Sequence, residues 1–263
     1  MKRMSFYNAD PESLVNVGTK SQESVISAAG VCAFYSSSDQ SNKGFFVTNG
    51  GRPIPISHSR NKNIKKWVDA IPVAYDDDVS GWGNNTHFYW SIGDVTVDGI
   101  DYTNVVVRWS IITGEWAVYS YPTEFRFLAG YVDSGGNNTI VGGDDDGNVI
   151  QIQKPATYTD YSSTVINWEV RTHEEDFEYS QVKELTENIV MCSRDAYGAT
   201  VGVKINGGDE ITLGAVRGDI TEIKLNTPLK GNYFQFIIKG NQVGGRATIK
   251  RLEIPNIILT SEY

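Results

Sequence analysis

The sequence predicts an all-β protein in which propeller-type four-stranded antiparallel blades are followed by a β-sandwich. Three observations support this fold class. Short apolar runs alternate with turn-forming Gly, Asn, Asp and Ser, and glycine alone supplies 26 of the 263 residues. Helical periodicity is confined to one short segment. Comparable groups of strands recur at intervals of roughly 45 to 55 residues, which is a repeat length typical of propeller blades.

The first predicted unit consists of two strand pairs. Residues 24–26 pair with 31–35, and residues 44–48 pair with 53–57 across a turn that contains Asn49-Gly50. Asn-Gly is a strong hairpin signal because both central residues of such a turn must accept a positive φ. The four strands together predict one antiparallel blade.

The segment 60–71 carries the helical periodicity. Its apolar residues recur at i, i+3, i+4 and i+7, at Ile64, Trp67, Val68 and Ile71. Pro72 ends the pattern, since the residue before a proline avoids the α region. We expect a helix of one or two turns that links two sheets.

Two further blade units follow the helix. The strands predicted for them are 72–75, 86–92, 104–110 and 115–121 in the second unit, and 127–132, 139–142 and 148–154 in the third. Blades therefore extend over about 20–155, within a propeller-like block of residues 1–156.

Residues 157–263 have longer apolar runs and tighter turns, and they predict the β-sandwich domain. The expected strands are 164–170, 177–185, 188–193, 200–205, 210–213, 220–225, 233–239 and 247–254. The run at 233–238 alternates only weakly, as a strand buried on both faces does.

The charge is unevenly distributed along the chain. The net charge is -9, with +5 on residues 1–66, -10 on residues 67–156 and -4 on residues 157–263. A nucleic-acid-binding domain usually carries a basic stripe, so the overall balance argues against one. The acidic middle block is either an ordinary solvated surface or a wall past which DNA moves without binding.

The cysteines and the N-terminus bear on the cellular setting. Cys32 and Cys192 lie far apart in apolar runs, which favours buried free thiols over a disulfide. The first residues lack the apolar core of a signal peptide, and no apolar run approaches the ~20 residues of a membrane helix. We therefore expect a soluble protein without a membrane segment, made and assembled in a cytoplasm.

The polar residues do not form a recognisable catalytic or metal-binding pattern. His58, His87 and His173 fall in different units with no metal-ligand spacing. The triplets Asp76-Asp77-Asp78 and Asp144-Asp145-Asp146 would suit a hard cation, but tight-turn chemistry explains them more simply. We expect no enzymatic activity, no catalytic residue, no metal and no cofactor.

One stretch resembles a known family. In residues 104–119 an apolar strand leads into the Thr113-Gly114 turn, and Trp116 opens the next strand; the stretches 44–50 and 142–151 are similar. These motifs resemble the propeller blades of tail hub, nozzle and neck accessory proteins of tailed phages. Residues 164–254 resemble the β-sandwich that follows the propeller in that family.

The resemblance implies a virion structural protein of a phage tail or neck. Such a protein forms a homomeric ring or hub around the DNA path, contacts other virion proteins and lets DNA pass during ejection without specific binding. Three blades cannot close a propeller, whose usual range is four to eight. We therefore expect residues 1–60 to contact a partner, either another subunit or another polypeptide.

The alternative is a carbohydrate- or receptor-binding tail appendage, or a propeller glycosidase. Trp82, Tyr89 and Trp90 are the aromatic residues that would form an exposed ligand platform. A glycosidase would need two carboxylates held across a sugar cleft.

Overall fold

The computed structural model describes residues 17–37, 43–57, 62–152, 159–160, 164–165, 167–178, 181–241 and 247–260. Of these residues 53% lie in strands and 6% in helices, so the all-β prediction is confirmed. The chain divides into two compact units, Met1–Lys154 and Pro155–Tyr263. Within the described ranges, no helix is long and apolar enough to cross a membrane.

In the described part of the first unit there are three antiparallel sheets with strands in sequential order. The first sheet consists of β1 (Ile26–Ala28), β2 (Val31–Ser36), β3 (Gly44–Thr48) and β4 (Ile54–Pro55). The second sheet consists of β5 (Ser80–Gly83), β6 (His87–Val97), β7 (Ile100–Ser110) and β8 (Trp116–Ser120). The third sheet consists of β9 (Phe127–Val132), β10 (Asn138–Gly143) and β11 (Val149–Gln151) in the order β11-β10-β9. Two of the three predicted blades thus have four strands, and the third has three in the described part of the chain.

Helix α1 (Lys62–Asp69) connects the first two sheets, as predicted. Ile64, Val68 and Ile71 are buried in the core between these sheets, and Trp67 packs against it. The apolar periodicity therefore reflects burial of one helix face.

Some strand boundaries differ from the predictions. Residues 73–75 form a 3-10 turn in place of a strand, and β5 lies in a segment for which the sequence predicts no strand. A short Gln22–Ser24 3-10 turn precedes β1. The β6–β7 hairpin is longer than predicted and turns at Asp98-Gly99, where both residues have positive φ. An Asp-Gly pair suits that turn and is the sequence signal for it.

The second sheet lies between the other two. On one of its faces Phe88, Trp90 and Val107 join Tyr35 and Phe45 of the first sheet in one core. On the other face, a second core forms against the third sheet, from Tyr89, Val106, Phe125, Leu128 and Ile140. Neighbouring residues of β6 therefore enter different cores, because successive side chains of a strand point to opposite faces.

The described residues of the second unit form four sheets. Their strands are β12 (Thr159–Asp160), β13 (Thr164–Val165), β14 (Trp168–Arg171), β15 (Val182–Leu185), β16 (Ile189–Arg194), β17 (Thr200–Ile205), β18 (Glu210–Ala215), β19 (Ile220–Ile223), β20 (Leu229–Gly231), β21 (Phe234–Gly240), β22 (Thr248–Glu253) and β23 (Ile257–Thr260). The sheet orders are β12-β13, β14-β21-β17-β18, β20-β15-β23 and β19-β16-β22.

One core joins the larger sheets of the second unit. Val203 and Phe236 from the four-stranded sheet meet Leu185 and Met191 from the two three-stranded sheets. Layers of antiparallel strands around a shared core fit the expected sandwich class. The weak alternation at 233–238 is explained by β21, a central strand whose first five residues are all buried.

Candidate functional site on the second sheet

The three predicted platform residues do not share an exposed surface. Trp90 is fully buried between the first and second sheets, where its Nε1 donates a hydrogen bond to the Ser24 carbonyl oxygen at 3.0 Å. Tyr89 points to the opposite face and is only 3% exposed. Trp82 is partly buried and lies beside Gly130 of β9. The prediction that these three residues form an exposed platform is therefore wrong. Strand β6 runs through the middle of the stack, where both of its faces are covered.

Trp82 and Tyr89 instead belong to an aromatic surface that includes Arg108. The β-sheet register places Trp82 opposite Tyr89, Tyr89 opposite Arg108, and Arg108 opposite Ala117. The ring centroids of Trp82 and Tyr89 are 6.0 Å apart, and that of His87 lies 6.1 Å from Tyr89. We call Trp82, His87, Tyr89, Arg108, Ala117 and Tyr119 the Arg108 surface.

Arg108 is partly buried on this surface. Its guanidinium carbon lies 5.6 Å from the ring centroid of Tyr119, a cation–π distance. It makes no ion pair or hydrogen bond with any residue in the ranges that the structure describes. The carboxylate of Glu115, two residues before Ala117, accepts a hydrogen bond from the Thr113 hydroxyl at 3.1 Å instead.

His87 borders the arginine. Burial, with a smaller contribution from Arg108, lowers the pKa of His87 from its ordinary 6.5. Its Nδ1 lies 2.9 Å from the Thr86 hydroxyl, and that hydroxyl donates its proton to the Asn84 side-chain oxygen at 2.8 Å. The imidazole is therefore neutral at pH 7, with one ring nitrogen held by Thr86.

A second polar cluster is buried beneath the first sheet. The Tyr35 hydroxyl donates to Asp76 Oδ1 at 2.7 Å, and the Lys43 ammonium lies 3.9 Å from the same oxygen. Lys43 also donates to the Ile71 carbonyl oxygen, and the exposed Lys20 lies 3.8 Å from Asp76 Oδ2.

Burial dominates the titration of this cluster. Burial raises the pKa of the Tyr35 hydroxyl. The hydrogen bond to Asp76 and the negative charge of Asp76 raise this pKa further. Burial lowers the pKa of Lys43, against the opposing effect of Asp76 and Asp69. Asp76 thus lies at a turn, as its sequence context predicts, but its carboxylate also neutralises a buried lysine.

The other Asp residues of the two triplets are mostly exposed. Asp144 accepts hydrogen bonds from the Asn148 backbone and side chain, which is turn chemistry. The guanidinium of Arg126 forms ion pairs with three carboxylates. Its nitrogens lie 3.8 Å from an oxygen of Asp78, 3.1 Å from one of Glu124 and 3.0 Å from one of Asp145. No group of three or more His, Cys, Asp or Glu side chains is placed to hold a metal ion in the part of the chain that the structure describes.

The remaining candidates lie apart from these clusters. His173 is exposed, and His58 lies outside the described residues. Cys32 and Cys192 are free, as predicted, but both are only partly buried. They are therefore more accessible than the apolar runs around them suggested.

Comparison with known proteins identifies no family. No protein-family profile matches the chain, and no curated protein matches it significantly. Among solved structures, a variant of an exo-β-1,3-galactanase from Phanerochaete chrysosporium with β-1,3-galactotriose is 11% identical, with a TM-score of 0.23 over 84% of this chain and 64% of that one. A variant of the Cry1Da tryptic core of Bacillus thuringiensis is 9% identical, with a TM-score of 0.22 over 88% of this chain and 41% of that one. Similarity this low assigns neither a fold family nor an activity to the chain.

Proposed function

We propose that the chain is a virion structural protein of a phage tail or neck, which forms a homomeric ring or hub around the DNA path. The phage assignment rests on the resemblance of residues 44–50, 104–119 and 142–151 to the blades of tail hub, nozzle and neck proteins. The ring rests on one observation about the third sheet.

That observation is an exposed apolar sheet face at the end of the stack. Phe127, Tyr131 and Val149 lie on the face of the third sheet that points away from the second sheet, and they are 44%, 51% and 67% exposed. The Phe127 ring lies directly over Gly143. Val141 is on the same face, between the Phe127–Gly143 pair and Tyr131. An apolar face of this kind at the end of stacked sheets suits contact with another protein surface.

Charge favours a neighbouring copy as the partner. The third sheet belongs to the block of net charge -10, whereas residues 1–66 carry +5. A head-to-tail contact would bring the acidic block of one copy against the basic block of the next, and head-to-tail contacts form a ring when the rotation between neighbouring copies closes. This arrangement also gives the expected role of residues 1–60 as a partner contact.

The acidic end of the stack suits a DNA conduit. Asp78, Glu124 and Asp145 converge on Arg126, and Asp144 and Asp146 flank them in the β10–β11 turn. Phosphate binding requires Lys or Arg to displace counterions, so a surface in which carboxylates outnumber the arginine would not retain DNA.

The mass of the protein in solution tests the ring. We expect the purified chain to form an oligomer in light scattering after size exclusion, and Val149→Asp to reduce its mass with an unchanged circular dichroism spectrum. Ile220→Asp is the matched control, because Ile220 is 72% exposed in the second unit. A wild-type monomer at high concentration, or equal effects of both variants, would refute the interface.

The location in the particle tests the phage assignment. Electron microscopy should place the protein around the DNA axis of a tail or neck. Density at distal fibre tips would instead favour the receptor-binding appendage.

A further inference from the structure

The dipeptide Asn-Gly occurs at two places in the chain, and both are turns between neighbouring strands. Asn49-Gly50 lies between β3 and β4, and Asn206-Gly207 lies between β17 and β18. A second glycine follows in each case, so both turns contain the same tripeptide, Asn-Gly-Gly. Both asparagines are exposed, and asparagine is a thermolabile residue. A difference in chemical stability between the two turns, measured against the unfolded chain, therefore reports on their folded structure.

The reaction that concerns these turns is intramolecular deamidation. The backbone nitrogen of the glycine loses its proton and attacks Cγ of the asparagine side chain, which closes a cyclic succinimide and releases ammonia. Water then adds to one of the two ring carbonyl groups and opens the ring, which gives aspartate or isoaspartate. Glycine favours the attack because it has no Cβ atom beside the attacking nitrogen. The attack also requires that the asparagine amide can rotate towards that nitrogen.

The side chain of Asn206 is held by a different part of the second unit. Its Oδ1 accepts hydrogen bonds from the backbone N–H groups of Asn232 at 2.8 Å and Tyr233 at 3.0 Å, between β20 and β21. The backbone N–H of Asn206 donates to the Tyr233 carbonyl oxygen at 2.9 Å. Rotation of the amide towards Gly207 breaks both bonds to Oδ1. Two hydrogen bonds of ordinary strength correspond to a rate that is slower by about tenfold or more.

The side chain of Asn49 has no comparable restraint. It is exposed and forms no hydrogen bond with any residue in the ranges that the structure describes. The attacking nitrogen belongs to Gly50, which has a φ of +102°. Its N–H donates to the Thr48 hydroxyl oxygen at 3.1 Å, an exposed contact for which water competes. Both reacting groups of this turn can therefore approach each other without the loss of a buried contact.

We infer that Asn49 is a site of spontaneous covalent modification, which converts it to aspartate and isoaspartate in the folded protein, and that the fold protects Asn206. The modification adds a negative charge to the block of residues 1–66, whose net charge is +5. Isoaspartate also adds a methylene group to the main chain of a turn in which the Thr48 hydroxyl donates to the Gly51 carbonyl oxygen at 2.8 Å. The site does not depend on the ring assembly, so either proposal can fail without the other.

Ageing of the full chain at mildly alkaline pH tests the site. Trypsin releases the two turns in separate peptides, residues 44–60 and 205–217, in which mass spectrometry after chromatographic separation distinguishes asparagine, aspartate and isoaspartate. We expect Asn49 to react at least about tenfold faster than Asn206 in native buffer. In urea that unfolds the chain, the two rates should become similar. Similar rates in native buffer, or the same ratio of rates in native buffer and in urea, would overturn the inference.

Two matched variants test the assignment in the intact protein. Ion-exchange chromatography of the aged wild type should show an acidic species that grows with time. Asn49→Gln should remove most of this species, because the longer glutamine side chain cyclises far more slowly, and Asn206→Gln should leave it unchanged. Circular dichroism would check that both variants are folded. Equal effects of the two variants, or an unchanged acidic species in folded Asn49→Gln, would refute the site.

Discussion

Asp76 stabilises the first unit through an ion pair with Lys43, which its position in an aspartate triplet does not predict. Asp76 and Lys43 are both buried, at 3% exposure each, and the Tyr35 hydroxyl occupies the same carboxylate oxygen. Removing one member of a buried ion pair leaves the other charge without compensation. The stability of this unit should therefore depend on Asp76 far more than on the two aspartates that follow it.

We predict that Asp76→Ala lowers the free energy of unfolding of the first unit by about 3 kcal/mol, the usual cost of an uncompensated buried charge. Urea denaturation followed by tryptophan fluorescence would measure the change. Asp77→Ala is the control, because Asp77 is exposed and should change the free energy by less than about 0.5 kcal/mol. Equal losses in both variants would contradict the assigned role.

His87 should make the folded state sensitive to mild acid. Burial lowers the pKa of His87 in the folded state below the 6.5 of the unfolded chain. At pH values between the folded and the unfolded pKa, the unfolded chain therefore binds a proton that the folded chain does not. The contribution of His87 to stability is therefore complete above pH 6.5 and is lost progressively as the pH falls from 6.5 through the lower folded pKa. We predict a smaller drop in unfolding free energy between pH 7.5 and 5.5 for His87→Asn than for the wild type.

His173→Asn serves as the comparison for this experiment, because His173 is exposed. An identical drop in the wild type and in His87→Asn would show that His87 does not contribute to the acid sensitivity.

Close contact between β5 and β9 depends on a glycine. A Cβ atom at Gly130 would lie 2.2 Å from Cζ2 of Trp82, which is closer than real atoms approach. The Trp82 ring must therefore move, or the third sheet must shift away from the second. The packing of these two sheets consequently requires Gly130.

We predict that Gly130→Ala costs about 1–3 kcal/mol of stability in the first unit and changes its near-ultraviolet circular dichroism. In Gly51→Ala, the nearest atom would be Asn49 Oδ1 at an ordinary 3.7 Å, and we expect little change. An unaffected Gly130→Ala spectrum and urea midpoint would argue against tight sheet packing at this point.

The sequence predicted strands well where apolar alternation and turn residues coincide. β3 and β17 have their predicted bounds, and α1 lies within its predicted range. The β5 strand was missed because its Ser-Gly-Trp-Gly sequence reads as a loop, whereas in the structure both glycines allow close approach of Ile26.

The candidate site was predictable only in part. Trp82 and Tyr89 were identified as aromatic candidates, but their neighbour Arg108 was not. Arg108 lies 19 residues after Tyr89 in the sequence. The two residues are placed opposite each other by the register of the β6–β7 hairpin, which contains two bulges. A residue pattern does not contain such a register, so the sequence alone could not pair an arginine in one strand with a ring in another.

At the scale of the whole chain, each unit has its own core. The core residues of the first unit come from residues 26–140, and those of the second from residues 185–238. We predict that residues 155–263 alone fold cooperatively, with the same urea midpoint as the corresponding transition of the full chain. Circular dichroism and fluorescence would follow both samples. A non-cooperative or strongly shifted transition would mean that the second unit needs the first.

The central position of the second sheet also affects how the chain leaves the ribosome. One face of β6 can be covered as soon as the first sheet is present. The other face is covered only after Phe125, Leu128 and Ile140 have been synthesised. The 34 residues from Val106 to Ile140 take roughly 2 to 7 s to translate at ordinary rates of elongation. During that interval an aromatic face is available to other nascent chains. Slow translation after β8 would therefore increase aggregation, and a chaperone that shields this face would be needed most at that stage of synthesis.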